Sequence, residues 1–94
     1  MNLPADIEIR IKERFDDPNR VYDLLKNLEN QNEEIRVIRC ILELSDSDYD
    51  SVDAWVKKAN EDYRNILWYA EYDNRNVRKY DFSEPFSSQK PYAC

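Results

Sequence analysis

The stretch DYDSVDAWVKKANEDYRNILWYAEY, residues 48–72, decides the fold class. Val52, Trp55, Val56, Ala59, Tyr63, Ile66, Leu67 and Ala70 recur at intervals of three and four, the spacing of one helical face. Read without interruption, the stretch predicts one amphipathic helix of about 25 residues and roughly 37 Å, on which the other helices pack. Ser47 and Asp50 have the S-x-x-D spacing of a capping box, with Asp in place of the usual Glu or Gln.

Upstream, Ile35, Ile38, Ile41 and Leu42 make one face of a helix, and Val37, Cys40 and Leu44 widen it. A face that broad predicts the most enclosed helix of the protein. Asn32 before Glu33 and Glu34 marks its start, because acids in a first turn favour the helix dipole. Before it, Asp17-Pro18 is a natural cap followed by a natural first helical residue. Val21, Leu24, Leu25 and Leu28 then form a stripe that runs out in the polar stretch from Asn27 to Asn32. Near the start, Ile7, Ile11 and Phe15 sit four apart, whereas Ile7-Ile9-Ile11 alternates as a strand would. Helix is the preferred reading, because Glu8, Lys12, Glu13 and Arg14 are good helix formers.

Downstream of Tyr72 the periodicity fails. Tyr80, Phe82, Phe86 and Tyr92 lie among prolines and serines, and Pro85 and Pro91 argue against a helix. The chain therefore reads as a single all-α unit. It is a small bundle of about four helices over residues 1–73, with an extended tail, residues 74–94, packed on the long helix.

Composition narrows the function. The 94 residues contain no glycine and no histidine. The first absence removes glycine-rich phosphate loops and primed hairpin turns, and the second removes the commonest general base and metal ligand. Leu, Ile, Val and Phe make up about a quarter of the chain, above the level that signals disorder. Net charge is −6 and unevenly placed: residues 43–73 hold nine acids against three bases, while residues 74–94 carry two acids and four bases. That distribution disfavours direct nucleic-acid binding, which needs clustered Lys and Arg, and favours a basic partner or a return of the basic tail. Two cysteines are too few for a secreted disulfide scaffold. With no signal-peptide pattern, lipidation motif or long apolar span, the expectation is a cytoplasmic protein that does not engage membranes.

No motif for catalysis emerges. Asp46, Asp48 and Asp50 alternate like the opening of an EF-hand loop, but its sixth and twelfth positions are Ser51 and Lys57 instead of Gly and Glu. Helix capping outweighs calcium binding there. The pairs Asp46/Asp50 and Glu61/Asp62 lie on polar helix faces that do nothing to drive two pKa values apart. Cys40 has no histidine to activate it and reads as a small core residue, while Cys94 reads as a mobile end. We expect no enzyme, no cofactor and no metal.

Trp68 and Tyr72 are harder to assign to the core. Four residues apart, they point nearly opposite the Val52–Ala59–Ile66 face, and Tyr69 flanks it. Either the tail folds back, laying Tyr80, Phe82 or Phe86 over them, or they anchor a partner, as exposed Trp and Tyr commonly do.

The run Asp62-Tyr63-Arg64-Asn65-Ile66-Leu67-Trp68-Tyr69-Ala70-Glu71-Tyr72-Asp73, followed by Phe82-Ser83-Glu84-Pro85-Phe86, resembles the C-terminal part of short uncharacterised bacterial proteins. The resemblance carries no activity; it implies that tail and long helix form one unit.

The resulting expectation is an acidic, non-catalytic protein-binding module. Trp68, Tyr69 and Tyr72 would anchor the partner, and Asp46, Asp48, Asp50, Asp53, Glu61 and Asp62 would steer it. Small acidic helical proteins that neutralise a basic partner, as immunity proteins do for nuclease toxins, offer an analogy of size and charge. Two alternatives stand beside it: an acidic mimic of nucleic acid that inhibits a DNA- or RNA-processing enzyme, and a structural homodimer built on the long helix. The fourteen Lys and Arg residues weigh against a pure mimic.

Overall fold

The computed structural model describes residues 3–29, 34–72 and 80–86. They form five helices: α1 (Ala5–Arg14), α2 (Pro18–Leu25), α3 (Glu34–Ser45), α4 (Tyr49–Glu61) and α5 (Tyr63–Glu71). No β-strand occurs among the described residues, and the protein is all-α.

The expected long helix is two helices. Asp62 lies in extended conformation (φ −161°, ψ 103°) between α4 and α5. Its own N–H closes α4 on the carbonyl of Lys58 at 3.0 Å, and its carboxylate opens α5 by accepting the Arg64 N–H at 3.1 Å. Aspartate suits this place because it competes for backbone N–H groups better than it propagates a helix. The apolar spacing hid the break: from Ala59 to Ile66 is seven residues, two helical turns, whether or not the chain bends between them. The consequence is large. Fourteen residues along one straight helix would separate Trp55 from Tyr69 by about 21 Å. Instead α5 folds back on α4, and the two rings lie 5.7 Å apart.

The centre of the molecule is α3. Val37, Ile38, Arg39, Cys40, Ile41, Leu42 and Ser45 are all buried, and the helix packs against α1, α4 and α5. The broad apolar face foretold this enclosure; the role of hub, expected of residues 48–72, falls to α3. Ser45 gives way to Asp46 in the left-handed region (φ 53°), where a short polar side chain is tolerated in place of glycine. The cap of α4 is Asp48, one residue after the expected Ser47. Its carboxylate accepts from the Asp50 N–H and from the Ser51 hydroxyl, both at 3.0 Å.

The first helix settles the ambiguity at Ile7-Ile9-Ile11. Ile7, Ile11 and Phe15 are buried and Ile9 is exposed, which is helical spacing. Asp17 and Pro18 start α2 as the sequence indicated. Tyr49 fastens this corner to α4. Its ring meets Phe15 at 5.1 Å, its hydroxyl accepts the Asp17 N–H at 2.9 Å, and the Arg20 guanidinium lies 4.3 Å above it. At the other end of α2, Asn60 donates to the Asn27 carbonyl at 2.9 Å and accepts the Glu29 N–H at 2.7 Å, which ties the departing chain to α4.

Phe82 completes the core. It is fully buried, with Ile7, Ile11, Ile38, Ile41, Ile66 and the other residues of the single apolar cluster. Full burial of side chains of this size contributes about 1.5–3 kcal/mol each.

Candidate functional site

Two assemblies stand out. The first is the aromatic face anticipated above. Trp68 and Tyr72 stack at 4.9 Å with their planes 16° apart, one helical turn separating them. Tyr69 rests against Trp55 and beneath the Lys58 ammonium, 5.6 Å from the ring centre. Trp68 is 46% exposed and Tyr69 52%, although each is braced by a neighbouring ring. Within the described residues of the tail, the Phe82 ring enters the core instead of lying over them, and its own ring neighbours are Tyr80 at 5.3 Å and Phe86 at 5.8 Å.

The acids that were expected to accompany this face are scattered and mostly engaged. Asp46 pairs with Arg14 of α1, and Asp48 caps α4. Asp53 meets Lys57 at 3.1 Å one turn along α4. Asp62 meets Arg64 at 3.1 Å; that side chain and the Arg64 N–H hold the Asp62 carboxyl below its usual range. Asp50 lies in the first turn of α4 and Glu61 ends the helix, both exposed. The calcium-loop reading gains nothing: no group of three or more His, Cys, Asp or Glu able to hold a metal occurs among the described residues. Cys40 is fully buried, and burial, followed by the nearby Glu71 charge, pushes its thiol far above the usual range. Such a thiol is chemically quiet. Cys94 lies outside the described residues.

The second assembly was not anticipated. Arg36 and Arg39, one turn apart on α3, each grip a carboxylate. Arg36 binds Glu71 of α5 through two nitrogens, at 2.9 and 2.5 Å, and the Glu71 side chain is wholly buried. Arg39, also buried, binds both oxygens of Asp6 of α1 at 3.0 and 3.1 Å. Between the two pairs passes residues 80–86. The Phe82 N–H donates to Glu71 Oε2 at 2.9 Å, and the Phe82 carbonyl accepts from Arg39 at 3.0 Å. The Phe86 N–H donates to Asp6 Oδ2 at 3.1 Å, while the Arg10 guanidinium covers the Phe86 ring at 4.2 Å. Arg10 is fixed in turn by Glu43 at 2.8 Å.

Every strong charge in this cluster has an opposite partner, as burial demands. Burial by itself would raise the Asp6 carboxyl; the hydrogen bonds from Arg39 and Phe86, with the Arg39 charge, outweigh it and hold the group below its usual range. One sequence signal pointed here. Arg39 interrupts an apolar run, Val37-Ile38-Arg39-Cys40-Ile41, on the face that must be buried, so a carboxylate has to meet it. Which carboxylate could not be read, because Asp6 and Glu71 lie more than thirty residues away on either side.

Beside the cluster, Asp6, Ile9, Arg10, Glu13 and Phe86 line an open groove of about 470 Å³. A smaller one of about 260 Å³ lies between α1 and α2, lined by Glu8, Asn19, Tyr22, Asp23 and Lys26. No helix among the described residues is long and apolar enough to cross a membrane. No family model, curated protein or solved structure matches this chain.

Proposed function

We propose that this chain is a non-catalytic protein-binding module whose docking surface is the aromatic face of α5, with Trp68, Tyr69 and Tyr72 as anchors. The observation that carries the reading is the half-exposure of Trp68 and Tyr69 in a chain whose own aromatic segment docks elsewhere. Large rings held in place by Tyr72 and Trp55 lose little further freedom on binding, which is what makes aromatic residues effective anchors. The net charge of −6 would draw a basic partner from a distance, in the manner of an inhibitor or immunity protein. The engaged acids Asp46, Asp48, Asp53 and Asp62 contribute to that field without being contact residues. Lys58 over Tyr69 adds a local cation to the face and leaves room for an acidic group on the partner.

Affinity capture from host lysate at low and high salt, read by mass spectrometry, tests the reading with wild type against a Trp68→Ala/Tyr69→Ala double variant. A stoichiometric basic protein that is lost with the variant and weakened by salt supports it. The absence of any specific protein at both salt concentrations would sink it.

A further inference from the structure

Ile9 is 56% exposed, the one aliphatic side chain so open among the described residues. It belongs to a face of α1 on which Asp6, Ile9, Arg10 and Glu13 follow the i, i+3, i+4, i+7 spacing, and with Phe86 these residues line the groove of about 470 Å³. The charges along this groove are unevenly satisfied. Arg10 is taken up by Glu43 at 2.8 Å and by the Phe86 ring, and Asp6 by Arg39 and the Phe86 N–H. Asp6 Oδ1 accepts from Arg39 alone and keeps a second lone pair for a donor from outside. Glu13 has neither an ion pair nor a side-chain hydrogen bond among the described residues, so Asp6, Glu13 and Glu43 face only Arg10 and Arg39. The smaller groove, between α1 and α2, has the same bias: Glu8 and Asp23 stand against Lys26, which binds Asp23 at 3.5 Å.

An occupant made of hydrocarbon alone would strip Glu13 of water and give nothing in return, and an acidic one would be repelled. A cation beside an apolar side chain suits both the carboxylates and the open Ile9. The spacing narrows the choice further. Asp6 and Glu13 lie two turns apart, about 10.5 Å along the helix axis, with Ile9 between them. Residues i and i+7 of a second helix share a face over the same rise, with i+4 between them, whereas an extended strand places same-side residues about 6.6 or 13 Å apart and misses one end. We infer that this groove docks a basic amphipathic helix of another protein. That helix lays an apolar side chain on Ile9 and Phe86, carries a Lys or Arg to Glu13, and brings a second cation, seven residues away, to Asp6. The site shares no residue with the aromatic face of α5, and the net charge of −6 draws such a helix towards it.

The test titrates the nitrogen-15-labelled chain with an amidated, alanine-based helical peptide that carries two lysines seven residues apart and a leucine four residues after the first. The titration runs to about 1 mM peptide, enough to half-fill a site of millimolar Kd. Amide resonances of Ile9, Arg10, Glu13 and Phe86 should shift, and those of Trp68 and Tyr69 should not. Glu13→Gln should weaken binding about three- to fivefold, the worth of one exposed ion pair, and Ile9→Ser by a similar factor. Both side chains are exposed, so both variants keep the fold. A peptide of the same composition with its lysines five residues apart, on opposite sides of its helix, should bind more weakly. No shift on α1, equal affinity for wild type and Glu13→Gln, or equal affinity for the two lysine spacings overturns the inference. Shifts at Trp68 and Tyr69 alone overturn it too, while supporting the aromatic face as the docking surface.

Discussion

Phe82→Ala is the perturbation that bears most directly on the architecture. Phe82 has no exposed surface and sits in the apolar cluster with Ile38, Ile41 and Ile66. Truncating a fully buried phenylalanine costs about 3–5 kcal/mol, because the transfer energy of the ring and the cavity it leaves both count. A 94-residue domain has a total stability of about 5–14 kcal/mol, so the loss is a large fraction of it. Each kilocalorie lowers Tm by about 4–8 °C at this size, giving a fall of at least about 12 °C. The assay is urea and thermal unfolding followed by circular dichroism at 222 nm. Trp68→Ala is the control: it removes a larger ring, but one that is 46% exposed, and should cost less than about 1 kcal/mol. Truncation after Asp73 would remove Phe82 and leave Arg39 and Glu71 without the backbone groups they bind, and should lower stability with little change in Trp68 emission. A loss below 1 kcal/mol for Phe82→Ala, or equal losses for Phe82→Ala and Trp68→Ala, would refute the claim that the docked segment is part of the core.

Three further outcomes are expected. Glu71→Gln removes the buried negative charge that Arg36 grips and should destabilise by about 3 kcal/mol; a change under 1 kcal/mol in urea unfolding would mean that the pair contributes little to the fold. The Asp6 carboxyl binds its proton more weakly folded than unfolded, so its stabilising contribution is complete above the unfolded value near 3.9 and fades as pH falls through the lower folded value. An Asp6→Asn chain should accordingly show a smaller loss of stability across that acid window, and parallel profiles for the two chains would contradict the assignment. Asp62→Ala removes the carboxylate that opens α5 and should lower the urea midpoint slightly, with Trp55 and Tyr69 still in contact by NOE; loss of that contact would show that the cap alone, rather than packing on α3, turns the chain.

Local rules, which act within a few residues, account for much of the fold. The Asp17-Pro18 start, the helical reading of Ile7–Phe15 and the enclosure of α3 follow from capping chemistry and from the 3.6-residue period, and the all-α class follows with them. The same rules were blind to the turn at Asp62. A bend of one residue placed two full helical turns between buried positions leaves the apolar spacing unchanged, so only the contact of α5 with α4 and α3 reveals it. Of the candidate site, the amino-acid order determined that Trp68 and Tyr72 would neighbour each other and lie off the buried face, because i and i+4 share a side of any helix. Their exposure was a tertiary decision, since nothing local says whether a distant segment will cover them. Arg39 could be seen to need a carboxylate, but Asp6 and the Phe82 carbonyl meet it across 33 and 43 residues of chain, where pairing is set by how the helices pack. The sequence by itself thus determined the helices and which of their faces are apolar, through interactions that span one or two turns. The reversal at Asp62 and the clamped seat of Phe82 were decided by the tertiary structure, because buried charge and buried aromatic area are stabilised only by partners that folding brings from far along the chain.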